Sequence, residues 1–146
     1  MPEGVTYNEC NLPIVEEFKK YYEDYGNDCK IDYANLGDKV MSVPSIKHKW
    51  VTRLCIYRNK LCETKKQRDN VLNEAVKKLK ENSKVEMSTI TARKKVESQD
   101  NSTISALNER IELLERLVSV LEEIVQHMRY FGNEVSAIVD WVKMEQ

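Results

Sequence analysis

Apolar residues recur every three or four positions along most of this chain, a spacing that predicts helices. The pattern is clearest after Ser102, which can cap a helix. There Ile104, Leu107, Ile111, Leu114, Val118, Leu121, Val125, Met128, Gly132, Val135, Val139 and Val142 form one seam, interrupted only by Gly132. Leu117, Ile124, Phe131 and Ile138 form a third column, each one residue before a seam member. A two-stranded coiled coil needs two apolar columns, so three predict a face wide enough for more than one neighbour.

A second long helix is predicted over about 44–83. Pro44 suits its first turn, with Ser42 or Val43 just outside, and neither Gly nor Pro follows before Asn82. Its stripe runs through Trp50, Leu54, Tyr57, Leu61, Thr64, Arg68, Val71 and Ala75, then drifts by one position to Leu72, Val76 and Leu79. The first half is expected to bury well and the second half to be partly exposed. Some forty residues at 1.5 Å rise make a helix about 60 Å long, which has to pair with another long helix. The expected partner is 102–143, folded back as a hairpin.

Before these, Asn11, Pro13 and Gly26 bound a short amphipathic helix carrying Ile14, Val15, Phe18, Tyr21, Tyr22 and Tyr25. The three tyrosines could stack on bases, but packing against the next helix is the simpler expectation. Residues 27–43 read as a connector with one short helix around 33–41. Residues 83–101, rich in Ser, Thr and charge, read as a flexible loop. The chain is thus expected to be one all-α domain. It comprises an N-terminal extension (1–43), a long basic helix (44–83), a loop (84–101) and a C-terminal helix (102–146).

The first helix is too short to cover the whole third column, so that column predicts a homo-oligomer, a ring or bundle. Its contacts would run through Leu114, Leu117, Val118, Leu121, Ile124, Val125, Met128, Phe131, Val135 and Ile138. The alternative is an unusually wide seam inside a monomeric bundle.

Composition narrows the class further. Four Gly and three Pro in 146 residues cannot supply the turns of a sandwich, barrel or doubly wound sheet. Neither a Walker spacing nor a GxGxxG occurs. No apolar run approaches the roughly 18 residues of a membrane span, and Met-Pro-Glu-Gly does not open a signal peptide, so a cytoplasmic protein off the membrane is expected. The cysteines Cys10, Cys29, Cys55 and Cys62 show no CxxC spacing and are expected to be buried or incidental thiols, with no metal and no cofactor. His48 lies among lysines, and His127 is expected to face away from the seam. Without a nucleophile–base pair or paired carboxylates at a defensible spacing, no enzymatic activity is expected.

The net charge of -1 conceals an asymmetry. Residues 1–44 stand at -5, residues 45–84 at +8 with twelve Lys/Arg against four Asp/Glu, and residues 101–146 at -4. A segment at +8 can be the footprint of a polyanion or a basic face paired with the acidic remainder of the chain. Charge alone leaves both open. With no base-reading fold, a nucleic-acid site here implies backbone binding that is indifferent to sequence and sensitive to salt. The candidates are Arg58, Lys60, Lys65, Lys66, Arg68, Lys77, Lys78 and Lys80. The competing expectation is a helical structural or assembly protein that binds other proteins and no nucleic acid.

The run Ile31-Asp32-Tyr33-Ala34-Asn35-Leu36, then Pro44, then Ile46-Lys47-His48-Lys49-Trp50-Val51 before a basic helix, resembles the UvsY family of recombination mediators of tailed phages. Arg129-Tyr130-Phe131 and Ile138-Val139-x-Trp141 are similar to the family's C-terminal elements. The resemblance covers about residues 31–146. It implies a non-enzymatic, ring-forming protein that binds single-stranded DNA. Such a protein helps load a RecA-like recombinase onto strands covered by single-strand binding protein. The sequence departs from the family where the basic helix ends. Asn73-Glu74-Ala75 stands near the usual Lys-x-Arg, and no tyrosine pair follows.

Overall fold

A computed structural model describes residues 9–99 and 102–145. Those residues form four α-helices: α1 (Leu12–Cys29), α2 (Leu36–Asn82), α3 (Thr89–Ser98) and α4 (Ser102–Glu145). Single 3-10 turns, Glu9–Asn11 and Tyr33–Asn35, precede α1 and α2. No strand occurs among the described residues, and the all-α expectation holds. The chain divides into two compact units, Met1–Cys55 with Ser119–Gln146, and Ile56–Val118. Both long helices contribute residues to each unit.

The first unit is built from α1, the start of α2 and the later part of α4. α1 turns Ile14, Val15 and Phe18 inward. α2 contributes Val43, Ile46, Trp50 and Leu54, and α4 contributes Leu121, Ile124, Met128, Phe131 and Val135. Tyr21 and Tyr25 meet the Trp50 ring edge-on, at centroid distances of 6.3 and 5.8 Å. The tyrosines therefore pack against the next helix, while Tyr22 stays exposed. Gly132 lies within continuous α4, where an added Cβ would stand 3.3 Å from Val43 Cγ1. The missing side chain lets α2 and α4 approach closely there.

The third apolar column falls inside this core. Ile124 and Phe131 are 4% and 2% exposed within a single chain, and Leu117 is buried in the second unit. Leu114, Val118, Leu121, Met128 and Val135 are buried too, and Val125 and Ile138 are half-buried. The chain's own helices cover the face from which a ring was expected. Its width gives no reason for a second subunit.

Three element boundaries differ from the expected ones. α1 passes Gly26 and ends at Cys29, because Asp28 is drawn onto α2 by Lys49 Nζ at 2.6 Å and Trp50 Nε1 at 2.8 Å. α2 begins at Leu36, eight residues before Pro44. Asp32 opens the turn before it, its carboxylate accepting from Ala34 N at 2.9 Å and Asn35 Nδ2 at 3.1 Å. Pro44 removes one backbone donor but leaves the helix continuous. The third difference is in 84–101, which holds α3 rather than a structureless loop. Ser88 caps α3, its Oγ accepting from Thr91 N at 3.2 Å.

The second unit packs α3 against α2. Ala92 and Val96, one turn apart, bury against Leu72 and Val76, with Ala75, Leu79, Met87 and Ile104 around them. The stripe of α2 drifts by one position because a different neighbour takes over there. Upstream, Thr64 is buried and returns its hydroxyl to Lys60 O at 2.7 Å, so a polar residue sits in the seam without an unpaired donor.

Candidate nucleic-acid interface

The basic segment splits between the two units, and its cations meet different surroundings. In the first unit, Asp24 and Asp28 lie one turn apart on α1 and face Lys49 and Arg53, one turn apart on α2. Asp24 Oδ2 accepts from Lys49 Nζ at 2.9 Å and Arg53 Nη1 at 2.6 Å. The Arg53 guanidinium also stacks on Tyr21 and Trp50, 4.2 and 4.7 Å from their centroids. Burial pushes the Asp24 carboxyl upward, but Lys49 and Arg53 outweigh it and hold the group below its usual value. Lys39 reaches back to the Asp28 carbonyl and lies 5.5 Å from the Phe131 centroid. Here the basic face is paired with acidic α1, as one of the two charge readings expects.

In the second unit the candidates are more open. Arg58, Lys66, Lys77, Lys78 and Lys80 are exposed, and Lys60, Lys65 and Arg68 are half-exposed. Lys60 Nζ lies 4.8 Å from the Tyr57 ring centroid. Lys65 reaches Glu115 of α4 at 3.5 Å, a solvent-exposed pair of little strength. Arg68 bonds its own neighbour Asp69 at 3.3 Å, and Lys80 Nζ donates to Thr89 Oγ1 at 2.9 Å. Among the described residues, no ion pair engages Lys66, Lys77 or Lys78.

α3 adds Arg93, Lys94 and Lys95, all exposed, to the same unit. These cations were hidden in the sequence by the reading of 84–101 as a loop. Ser88 followed by Ala92 and Val96 at one-turn spacing is the signal that reveals them. Residues 56–118 carry fourteen Lys/Arg against ten Asp/Glu, and the rest of the chain nine against fourteen. The excess of positive charge therefore belongs to the unit that holds Lys66, Lys77, Lys78, Lys94 and Lys95.

A different cluster in the first unit also escapes the sequence pattern. The Tyr25 hydroxyl hydrogen-bonds His127 Nδ1 at 2.7 Å, and His127 Nε2 lies 3.6 Å from Glu134 Oε2. With the phenol donating, Nδ1 accepts and Nε2 carries its proton toward the carboxylate. Burial, with Cys29 beside it, pushes the Tyr25 phenol up to about 12, and burial raises the Cys29 thiol. His127 thus faces α1 rather than open solvent, with Tyr25 as its partner. The cluster anchors α1 to α4. Cys10, Cys55 and Cys62 are exposed and Cys29 is half-buried, so of the two expectations, buried or incidental, burial does not describe the first three.

No three or more His, Cys, Asp or Glu among the described residues are grouped to hold a metal. No described helix is long and apolar enough to cross a membrane. Comparisons with protein-family models, curated proteins and solved structures returned no match for this chain.

Proposed function

We propose that this chain is a non-enzymatic protein that binds single-stranded DNA without sequence preference through the unit Ile56–Val118. The observation that supports this most is the set of lysines on α2 and α3 that no acidic residue engages, in the unit with the positive excess. Lysines on helix surfaces suit phosphate contact and read no base edges. The resemblance to the UvsY family extends the proposal to recombination mediation, in which the bound strand receives a RecA-like recombinase in place of single-strand binding protein.

Electrophoretic shift of a single-stranded oligonucleotide across a salt series tests the reading. Binding should weaken as salt rises, with a log–log slope near -0.7 per contacted phosphate. Changing Lys65, Lys66 and Arg68 together to Ala should lower affinity and flatten the slope. No binding at any salt by the folded protein would reject the proposal.

Protein partners are favoured by a separate observation. Trp141 and Met144 near the end of α4 are 56% and 84% exposed, and Met41 at the start of α2 is 81% exposed. Self-assembly, which the resemblance implies, has these exposed residues available, since much of the seam is covered within one chain. A mass by light scattering that drops on Trp141→Ser would support that surface.

A further inference from the structure

Three helices of the unit Ile56–Val118 frame a cleft of ≈ 360 Å³. Each helix gives it two residues one turn apart: Arg68 and Leu72 from α2, Arg93 and Glu97 from α3, Ile104 and Asn108 from α4. Residues at this spacing share a helix face, so each pair points into the cleft by construction. Leu72 is buried and Ile104 packs on the same cluster, which gives the cleft apolar walls. Arginine from two helices, the Asn108 amide and the Glu97 carboxylate supply the polar groups. The volume lies at the lower end of sites that take small organic ligands, and it suits one nucleotide unit.

We propose that this cleft seats one phosphodiester of a single strand, with Arg68 and Arg93 on its oxygens and Leu72 and Ile104 against the attached sugar or base. The proposal rests on the single-strand-binding reading above and names a subsite within it. A guanidinium presents five donors in a planar fork that matches phosphate oxygens. Among the described residues, Arg93 uses only its Nε, toward Glu97 Oε1 at 3.2 Å. Arg68 bonds a single oxygen of Asp69 through Nε and Nη2, at 3.4 and 3.3 Å. Both pairs are solvent-exposed and weak, with Glu97 and Asp69 54% and 52% exposed. A phosphate can therefore take over these guanidiniums while the carboxylates turn to water. Glu97 lines the cleft itself and acts as a competing anion held by the chain.

The test is a titration of the full chain, with nitrogen-15 in its arginines, by the octathymidylate strand. The Nε–H resonances of Arg68 and Arg93 should shift together, with the midpoint of overall binding. Arg93→Ala should weaken binding about three- to tenfold and lower the salt slope by about 0.7. Glu97→Gln should tighten binding about two- to fivefold, a gain that damage to the fold would not produce. Circular dichroism confirms that both variants keep the helices. Strand binding at full affinity with unmoved Arg68 and Arg93 signals would overturn the cleft and leave the broader reading standing. Inorganic phosphate moving both signals at the same concentrations as the strand would also overturn it, as a free-anion site. No strand binding at all would overturn both proposals together.

Discussion

The two units of this chain use the same materials, long amphipathic helices rich in Lys and Arg, to different ends. In Met1–Cys55 with Ser119–Gln146, acidic residues outnumber basic ones, and the central cations of α2 are drawn into contact. Lys49 and Arg53 meet Asp24 and Asp28 within 3 Å, and the guanidinium stacks on two aromatic rings. In Ile56–Val118 the balance is reversed. Lys66, Lys77 and Lys78 of α2 and Lys94 and Lys95 of α3 engage no carboxylate among the described residues. A run of positive charge in sequence is therefore not one functional object. The acidic residues folded against it decide which part is left for a partner.

The sharpest way to break this comparison is in the first unit's core. Leu121→Asp places a carboxylate where the wild-type side chain is fully buried, among Ile124, Met128 and the neighbouring helices. An uncompensated buried charge of this kind should cost more than about 4 kcal/mol, enough to abolish cooperative urea unfolding. If the variant keeps its unfolding midpoint and loses only native mass, the seam is an intersubunit surface rather than the core of the first unit.

A smaller effect is expected where α3 docks. Val96→Ala removes two methyl groups from a side chain that is 3% exposed, against Leu72 and Val76. Destabilisation of about 2 kcal/mol is expected from lost burial and the space left behind. Amide exchange should rise across Thr89–Ser98 and at Leu72 and Val76 more than in α1. Uniform change across both units would show that α3 is not a separable part of the second one.

That helix also shows what the sequence made legible. The periodicity of α4 was readable end to end, because every third or fourth residue from Ile104 to Val142 is apolar apart from Gly132. The start of α2 was obscured by Pro44, which suits a first helical turn but stands in the third turn of a helix that begins at Leu36. α3 was obscured because its ten residues bury only Ala92 and Val96, too few to register as periodic. Its docking was nonetheless written in α2, where the stripe moves from Val71 and Ala75 to Leu72, Val76 and Leu79. Charge was readable as a sum but not as an arrangement. Asp24 and Asp28 at one-turn spacing match Lys49 and Arg53 at the same spacing, yet only the fold brings the pairs together. The cleft was half-visible, since Arg68 was a candidate and Asn108 lies on the helix expected to pair with it, while Arg93 comes from α3, which composition marks as loop.

The next prediction sharpens the contrast at the surface. Lys77→Ala, Lys78→Ala, Lys94→Ala and Lys95→Ala combined should lower affinity for a single-stranded oligonucleotide about tenfold at moderate salt and flatten the salt slope. Stability should stay within about 0.5 kcal/mol per substitution, because these side chains are exposed and in no ion pair among the described residues. In contrast, Lys49→Ala should cost stability and leave affinity unchanged. A loss of DNA binding from Lys49→Ala equal to that of the quadruple variant would erase the distinction between the units.

The smallest expected effect concerns pH and belongs to the first unit. Asp24 is held below its usual value in the fold, where burial is outweighed by Lys49 and Arg53. A carboxyl with a depressed folded-state pKa contributes stability above its unfolded value near 4 and loses it as pH falls through the lower, folded one. The Asp24 side chain is 34% exposed, so solvent screening keeps the contribution to about 1 kcal/mol or less. Unfolding free energy measured from pH 6 down to pH 3 should fall more steeply for the wild type than for Asp24→Asn. In the second unit, Glu115→Gln should change stability at neutral pH by no more than about 0.5 kcal/mol, because the Lys65–Glu115 pair is long and open to water on both sides. An Asp24→Asn profile that matches the wild type would mean the clamp between α1 and α2 adds nothing to folding. The engaged and open cations would then differ in geometry alone.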